Sequence, residues 1–303
     1  MRGRRGGCHN GWVTSAPGPG LRLLHVHAHP DDESSKGAAT TAYYVAQGVR
    51  VVVATCTGGE LGDILNPKMN TPKNWARLPE LRRAEMRAAA AILGIEQVWL
   101  GFEDSGFPDP QNPQPLSPGA FAAQDVDEAA GRLVRVIRDV RPQVVTTYDE
   151  SGGYPHPDHV MTHKITMAAV EAAADPNAWP EHGAPWQVAK LYYDVTLHRL
   201  RMRELDQAMR ALGHASPYAE RLALFPDDPA LARRLTTFIP CSRYFETRNK
   251  ALLAHATQVD PDGSWFAVPL DVQVSAWPTE DYELVYSLVP TMIPENDLFA
   301  GIR

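Results

Sequence analysis

Apolar, β-branched segments alternate with helical segments over the first 200 residues, and this alternation restricts the fold more than any other feature. Arg50–Thr55 (RVVVAT) is typical, because a run of such residues indicates a strand buried in a parallel sheet. Asp125–Val140 instead has apolar residues at helical spacing. Repeated strand–helix units predict a Rossmann-like, mostly parallel α/β sheet with helices on both faces. We expect further strands at Leu21–Ala28, Gln97–Leu100, Val144–Tyr148 and Leu191–Val195, and further helices at Gly37–Gln47, Pro79–Leu93 and Asp158–Ala174.

The pattern divides the chain into three parts. Residues 1–20 are rich in Gly and Pro and lack the apolar core of a secretory signal, so we expect a disordered extension. Residues 21–180 carry the alternation and are expected to form the main domain. From residue 181 the alternation fades into short mixed elements. We expect residues 181–303 to form a smaller mixed region that packs on the same domain and shapes the substrate site.

Composition excludes several classes of function. The 303 residues carry a net charge of -7 without a basic block, which argues against a nucleic-acid partner. No apolar run approaches the roughly 20 residues that a membrane-spanning helix needs. The cysteines Cys8, Cys56 and Cys241 are far apart, so neither a disulfide framework nor a thiolate metal site is indicated. We expect a cytoplasmic protein with no membrane partner, and the sequence leaves its oligomeric state open.

Four polar clusters each follow a predicted strand directly. They are His29–Glu33 (HPDDE), Thr57–Glu60 (TGGE), Glu103–Gly106 (EDSG) and Tyr154–His159 (YPHPDH). In an open parallel sheet, ligands bind outside the carboxyl ends of the strands. We therefore expect all four clusters to meet on one rim of the sheet.

The first and last clusters contain a plausible set of metal ligands. His29 and Asp32 can bind one zinc ion, and the fold would bring His159 to it as a third ligand. Two histidines, one carboxylate and an open position are typical of catalytic zinc, although the same set suits Fe²⁺. The alternative is that Asp31, Asp32 and Glu33 only cap the following helix. Two His-Pro-Asp motifs, both after strands, favour the metal site.

Neighbouring residues could move protons or orient the ligands. Asp31 is expected to be the general base, which takes a proton from water and passes it to the leaving amine. His156 could stabilise the oxyanion of an acyl-transfer reaction. Asp158 could orient a metal-binding histidine, or it could be the N-cap of a helix. His163 lies one helical turn beyond His159 and is either a further ligand or an ordinary helical surface histidine.

Together, these four clusters resemble the PIG-L/LmbE family of zinc N-deacetylases, over most of residues 21–175. The resemblance implies that residues 21–180 form a zinc hydrolase domain of that type. It implies the same zinc ligands, the same general base and the same oxyanion donor as the residues themselves suggest. It also implies that Tyr154 assists at the reacting carbonyl.

Further stretches resemble the branch of the family that hydrolyses amides of thiol–sugar conjugates, namely HAHPDDESSKGAAT, TGGELGDILNP, TYDESGGYPHPDH, KLYY, AHATQ and LFAGI. The resemblance therefore implies a small-molecule thiol–sugar conjugate as substrate and a role in thiol-based detoxification. One alternative is a deacetylase of N-acetylglucosaminyl-inositol in thiol biosynthesis. Another, of a different class, is a non-catalytic protein that senses a sugar or a metal.

Several charged side chains are expected to contact this substrate. The family implies that Arg82 or Arg83, together with Asp104, contacts a sugar or inositol. Lys36 is expected near the larger acyl group, and its alternative is a solvated lysine on a helix surface. The full set of expected substrate contacts is Lys36, Glu60, Arg82, Arg83 and Asp104.

Overall fold

The computed structural model describes residues 20–109, 111, 114–224, 232 and 234–303, so the predicted extension lies outside the described residues except for its last glycine. The strands are β1 Arg22–His27, β2 Arg50–Thr57, β3 Glu96–Phe102, β4 Val144–Thr147, β5 Lys190–Asp194, β6 Thr237–Ile239 and β7 Glu280–Ser287. The helices are α1 Asp32–Ser35, α2 Ala38–Val45, α3 Pro72–Trp75, α4 Leu78–Leu93, α5 Val126–Val140, α6 Pro157–Ala174, α7 Arg199–Ala211, α8 Ala219–Leu224, α9 Phe245–Ala254 and α10 Leu270–Ala276. Short 3₁₀ turns lie at Phe121–Ala123, Pro180–His182, Ser242–Tyr244 and Ser264–Phe266.

All seven strands form one sheet in the order β3-β2-β1-β4-β5-β7-β6. The first five in this order are parallel, whereas β7 pairs antiparallel with both β5 and β6. The predicted α/β class and its mostly parallel sheet are confirmed. The order 3-2-1-4-5 is that of the Rossmann fold. Strands β1 to β3 extend the sheet to one side, and β4 and β5 extend it to the other, so the strand order reverses at the β1–β4 pair.

The two faces of the sheet are covered by different helices because strand side chains alternate between faces. In β1, Leu24 packs into a core with α5 and α6, while its neighbour Leu23 packs into a second core with α2 and α9. Both leucines are fully buried. Helices therefore lie on both faces, as predicted, and this leaves the carboxyl-end rim open for a site.

The part of the chain after residue 181 completes the same sheet. A buried ion pair joins Lys190 of β5 to Glu295, and the hydroxyl of Tyr192 donates to the second oxygen of Glu295 at 2.6 Å. These contacts hold the C-terminal segment against β5. Over the residues that the structure covers, no helix has the length and apolar character needed to cross a bilayer.

Candidate metal centre and active site

The two histidine-containing loops meet where β1 and β4 end side by side. His29 lies two residues after β1, and His159 lies in the first turn of α6, which follows β4. Glu60 accepts the backbone N–H of Asp104 at 3.3 Å, and Asp158 accepts the backbone N–H of Ser105 at 3.0 Å. These contacts connect the second, third and fourth polar clusters. Their predicted convergence on one rim is confirmed, and it lies at the switch point where α/β sheets bind ligands.

His29, Asp32 and His159 bring three potential metal ligands within 4.8 Å of one another, and all three are buried. Oδ2 of Asp32 lies 3.7 Å from Nδ1 of His29 and 3.4 Å from Nε2 of His159. The Nε2 atom of His159 is buried without a hydrogen-bond partner among the described residues. Buried polar atoms are nearly always paired, so this nitrogen fits a metal ion as its missing partner.

A glycine sets the orientation of His159. Nδ1 of His159 donates to the carbonyl oxygen of Gly152 at 2.9 Å, which leaves Nε2 as the unprotonated acceptor. Gly152 has φ 79°, and a Cβ built on it would lie 2.6 Å from Cβ of His159. Only glycine fits this position, so the turn just before the fourth cluster directs the histidine toward Asp32.

A second group of potential ligands also lies within 4.8 Å of one another: His29, Asp104, His156 and Asp158. Its carboxylates already have donors. Ser105 donates its hydroxyl and its N–H to the two oxygens of Asp158. Asp104 accepts the N–H of Leu61 at 2.9 Å and that of Gly106 at 2.8 Å. The first group is the better candidate metal site, because it contains Nε2 of His159, which is buried without a partner among the described residues.

The carboxylate of Asp32 is held from both sides. Tyr148 donates its hydroxyl to Oδ2 at 2.7 Å and itself accepts the N–H of Ala28 at 2.8 Å. Nζ of Lys36 lies 2.6 Å from Oδ1. Burial raises the pKa of Asp32, but the charge of Lys36 outweighs it and holds the pKa well below its ordinary value. Lys36 is only 17% exposed, so its alternative interpretation as a solvated helix lysine is wrong.

Asp31 has an unusual backbone conformation. It occupies the N-cap position of α1 at φ 115°, and its side chain makes no capping hydrogen bond. Such a conformation costs a non-glycine residue about 1–3 kcal/mol and is found mostly at functional sites. Burial raises the pKa of Asp31 above its ordinary value, although the guanidinium of Arg82 opposes the shift. The interpretation of this acidic triplet as simple helix caps is therefore wrong for Asp31.

Arg82 and Glu33 fix the loop around Asp31. Arg82 is buried and donates to the carbonyl oxygens of Gly59 and Pro30, each at 2.7 Å, and to Oδ2 of Asp31 at 3.2 Å. Glu33 accepts the N–H of Asp31 at 2.9 Å. The guanidinium thus links the loop of Pro30 and Asp31 to Gly59 in the loop after β2.

His156 forms the N-cap of α6, since its Nδ1 accepts the N–H of Asp158 at 3.1 Å. The ring proton is then on Nε2, and burial lowers the pKa of His156 to about 4, which keeps the ring neutral. Oδ2 of Asp158 lies 3.3 Å from Nε2 of His29. The alternative in which Asp158 is the N-cap is wrong, because His156 already fills that position.

Tyr154 and His163 have different relations to this centre. Tyr154 is 45% exposed, and its ring centroid lies 4.5 Å from that of His159. Nδ1 of His163 contacts the carbonyl oxygen of Tyr148 at 3.1 Å. His163 belongs to neither ligand group among the described residues, so its interpretation as a further ligand is not supported.

The remaining predicted substrate contacts lie around the third cluster. Oδ1 of Asp104 is 3.8 Å from Nε2 of His29, and Glu60 contacts the backbone of Asp104. Arg83 is exposed, and its guanidinium lies 4.8 Å from the ring centroid of Trp99. Asp104 and Glu60 are therefore near the candidate metal site, whereas Arg83 stacks on Trp99 of β3.

Sequence reasoning missed Tyr148 and His255. His255, on the short segment after α9, is fully buried with Nε2 2.7 Å from Oε1 of Glu33. It falls within the AHATQ stretch, but no spacing connects residue 255 to residue 33. Tyr148 is the last residue of the fourth predicted strand. A strand-end position ahead of the fourth cluster could have indicated that its side chain reaches the site.

Fold and site together define a Rossmann-like α/β protein with a candidate metal centre at the carboxyl ends of its parallel strands. The family model described as PIG-L, GlcNAc-PI de-N-acetylase, matches residues 24–170. Mycothiol S-conjugate amidase of Streptomyces coelicolor is 56% identical over 286 residues, which cover 93% of this chain and 98% of that protein. The 1D-myo-inositol 2-acetamido-2-deoxy-alpha-D-glucopyranoside deacetylase of Streptomyces avermitilis is 40% identical over 295 residues, with 94% and 98% covered.

The chain therefore belongs to the PIG-L family, and it is an enzyme that hydrolyses amide bonds. Among solved structures, N,N'-diacetylchitobiose deacetylase from Pyrococcus horikoshii superposes with a TM-score of 0.60 at 17% identity. The match covers 88% of this chain and 84% of that one, and at this identity it shows a shared fold.

Proposed function

We propose that the chain is a zinc-dependent amidase of mycothiol S-conjugates. It would hydrolyse their amide bond to an N-acetylcysteine S-conjugate, a mercapturic acid, and glucosaminyl-inositol, in thiol-based detoxification. The observation that carries this proposal is the 56% identity to Mycothiol S-conjugate amidase over 98% of that protein. The deacetylase of mycothiol biosynthesis is the second candidate, supported by 40% identity over a similar length.

We assign the metal to His29, Asp32 and His159. The unpaired Nε2 of His159 supports this assignment. So does Nδ1 of His29, which lies 3.7 Å from Oδ2 of Asp32. Two nitrogens and one carboxylate suit zinc with one open position, and they also suit Fe²⁺. When bound, such an ion polarises the amide carbonyl and lowers the pKa of water.

Asp31 is assigned as the general base. Its raised pKa supports this role, because proton transfer is most efficient when the pKa of the base approaches the working pH. The carboxylate takes a proton from the attacking water as the new C–O bond forms. It returns that proton to the leaving nitrogen as the C–N bond breaks. Arg82 positions the carboxylate through its 3.2 Å contact.

His156 is assigned to the oxyanion that develops on the amide carbonyl. The neutral ring donates from Nε2, because Nδ1 is already an acceptor. Tyr154 assists at the same carbonyl from its half-exposed position. Asp158 positions the ring of His29 from the side opposite Asp32, an arrangement that is common around metal-binding histidines.

The other predicted contacts receive different roles. We propose that Lys36 balances the charge of Asp32 beside the acyl group, and that Arg82 acts through Asp31. Asp104 and Glu60 shape the loop next to His29, where the sugar would lie. Arg83 remains a candidate contact at the edge of the site.

Two substrates test the proposal. The zinc-loaded protein is incubated separately with the bimane conjugate of mycothiol and with N-acetylglucosaminyl-inositol. We expect kcat/KM for the conjugate to exceed that for the acetylated sugar by about tenfold or more. Faster deacetylation would favour the second candidate. Turnover of neither substrate by protein with full zinc content would favour a sensor and overturn the amidase.

A further inference from the structure

A cavity of about 310 Å³ lies beside the candidate metal centre and is separate from it. Its walls come from α1, α7, α8, α9 and α10 and from the turn at Ser264–Phe266. None of the residues assigned to metal binding, proton transfer or substrate contact lines it. The chemistry of its lining therefore needs its own explanation.

Two buried arginines dominate this lining. Arg201 and Arg248 are each 7% exposed. Arg201 donates from Nη1 to the carbonyl oxygen of Thr196 at 3.1 Å, but its Nε is buried without a partner among the described residues. Arg248 donates from Nη2 to the amide oxygen of Gln273 at 2.8 Å. No carboxylate of a described residue lies within ion-pair distance of either guanidinium, and buried cations normally have such a partner.

Among the described residues, Glu280 is the one acid of the cavity wall, and it has other partners. The two carboxylate oxygens of Glu280 accept the N–H groups of Ala39 at 3.2 Å and Thr40 at 2.7 Å, at the start of α2. Burial lowers the pKa of Arg248, Glu280 partly offsets this, and the nearby charge of Arg201 lowers it further. Including Arg221, the part of the wall that the structure describes carries three arginines against one carboxylate. It therefore has an excess of positive charge.

The rest of the wall suits a flat apolar group. Tyr218 and Trp265 provide aromatic rings, and Leu197 and Leu252 provide aliphatic surface. Arginine guanidinium groups match carboxylates through paired hydrogen bonds, and flat apolar groups pack on aromatic and aliphatic walls. We propose that this cavity binds an organic anion that carries a carboxylate on an aromatic body.

A short chain of contacts connects the cavity to the metal centre. Ser35 lines the cavity, and Nζ of Lys36 donates to its hydroxyl at 3.2 Å. The same ammonium group lies 2.6 Å from Oδ1 of Asp32. Ser35 is three residues from Asp32, or about 5 Å along a helix axis. The anion could thus arrive as part of the substrate, on the sulfur substituent, or as a separate aromatic acid. The first of these sources, the sulfur substituent of the substrate, rests on the proposed function.

Calorimetry on the zinc-loaded protein tests the cavity directly, with 4-methylbenzoate and its neutral analogue 4-methylbenzamide as probes. We expect the acid to bind about tenfold tighter than the amide, which corresponds to about 1.4 kcal/mol. Arg201→Met and Arg248→Met should each remove this preference. Arg135→Met, which deletes an arginine that is 71% exposed on α5, should keep it. Equal binding of acid and amide by the wild type would overturn the proposal, as would a preference that survives both cavity variants.

Circular dichroism and zinc content check that the variants fold. If either methionine variant fails to fold, Arg201→Lys and Arg248→Lys replace it. They retain the charge but lose the planar fork, so the preference for the acid should fall several-fold. An unchanged preference in both lysine variants would contradict recognition by the guanidinium groups.

Hydrolysis of two matched conjugates then distinguishes the sources of the anion. These are mycothiol carrying S-(4-carboxybenzyl) or S-(4-carbamoylbenzyl). If the anion belongs to the substrate, kcat/KM should favour the carboxylate by about tenfold, and only in proteins that keep both arginines. A ratio near one, with selective binding of 4-methylbenzoate retained, supports a separate acid at the same site. Failure to hydrolyse either conjugate would overturn the proposed function and leave the calorimetric result unaffected.

Discussion

Nε2 of His255 lies 2.7 Å from Oε1 of Glu33, in a buried contact between the segment after α9 and the loop after β1. The second oxygen of Glu33 accepts the N–H of Asp31 at 2.9 Å. One side chain therefore connects the C-terminal part of the chain to the backbone of the candidate general base. This contact gives the region after residue 181 a physical role at the site, since it helps to hold Asp31 at φ 115°.

Removal of the charge on Glu33 should destabilise the protein. In Glu33→Gln, His255 loses a buried partner, and we expect the free energy of unfolding to fall by about 2 kcal/mol. His255→Gln should have a similar effect, and the double variant should cost less than the sum of the two. Urea unfolding measures all three.

The exposed ion pair between Glu246 and Lys250 on α9 provides the control, because both side chains are more than half exposed. Glu246→Gln should leave the urea midpoint unchanged within error. An equally small effect of Glu33→Gln would contradict a structural role for the buried contact.

Asp194, at the end of β5, should make stability depend on pH. Its Oδ1 is buried without a partner among the described residues, and burial raises its pKa from 3.8 to about 8 although Lys36 opposes the shift. Between these values the native state holds a proton that the unfolded chain has lost. The contribution of Asp194 to stability therefore falls as pH rises from about 4 to about 8.

Asp194→Asn imitates the protonated acid and removes this dependence. We expect it to raise the free energy of unfolding by about 4 kcal/mol at pH 7, and to leave it nearly unchanged at about pH 4. Urea unfolding of both proteins at the two pH values measures the difference. A gain of equal size at both pH values would count against a raised pKa.

Zinc should stabilise the protein through His159 and not through His163, which lies one helical turn further along α6. With free zinc at about 100 times its Kd, the wild type should gain about 2.7 kcal/mol of stability. His163→Gln should retain this gain, because His163 lies in neither ligand group among the described residues. His159→Gln should lose it. Thermal melts over a zinc titration compare the proteins, and equal stabilisation of both variants would exclude His159 as a ligand.

Much of the parallel part of the sheet could be predicted from local pattern. The predicted elements from Leu21 to Val195 agree with the observed bounds within two residues at each end. The reason is that buried parallel strands, such as Arg50–Thr57, are continuous apolar runs bounded by glycine and polar loops. Parallel strands also place their carboxyl ends together, so the convergence of the four polar clusters followed from the order of elements alone.

The contacts that depend on distant parts of the chain could not be predicted. The antiparallel insertion of β7 between β5 and β6 brings Glu280–Ser287 beside Lys190–Asp194, and no local pattern specifies that pairing. His255 reaches Glu33 only through the packing of α9. Lys36 is different. It follows Asp32 by four residues, a spacing at which helical side chains meet, so its ion pair could have been inferred.

The central claim is that Asp31 moves the proton while Asp32 holds the metal, and Asp31→Asn tests it most directly. The purified variant and the wild type are compared for zinc per chain and for turnover of the bimane conjugate of mycothiol. We expect equal zinc content and a rate that is lower by about 10²–10⁴-fold, since the variant lacks only the general base. Full zinc content with unchanged turnover would contradict the assignment of Asp31, and loss of zinc would contradict the division of roles between the two aspartates.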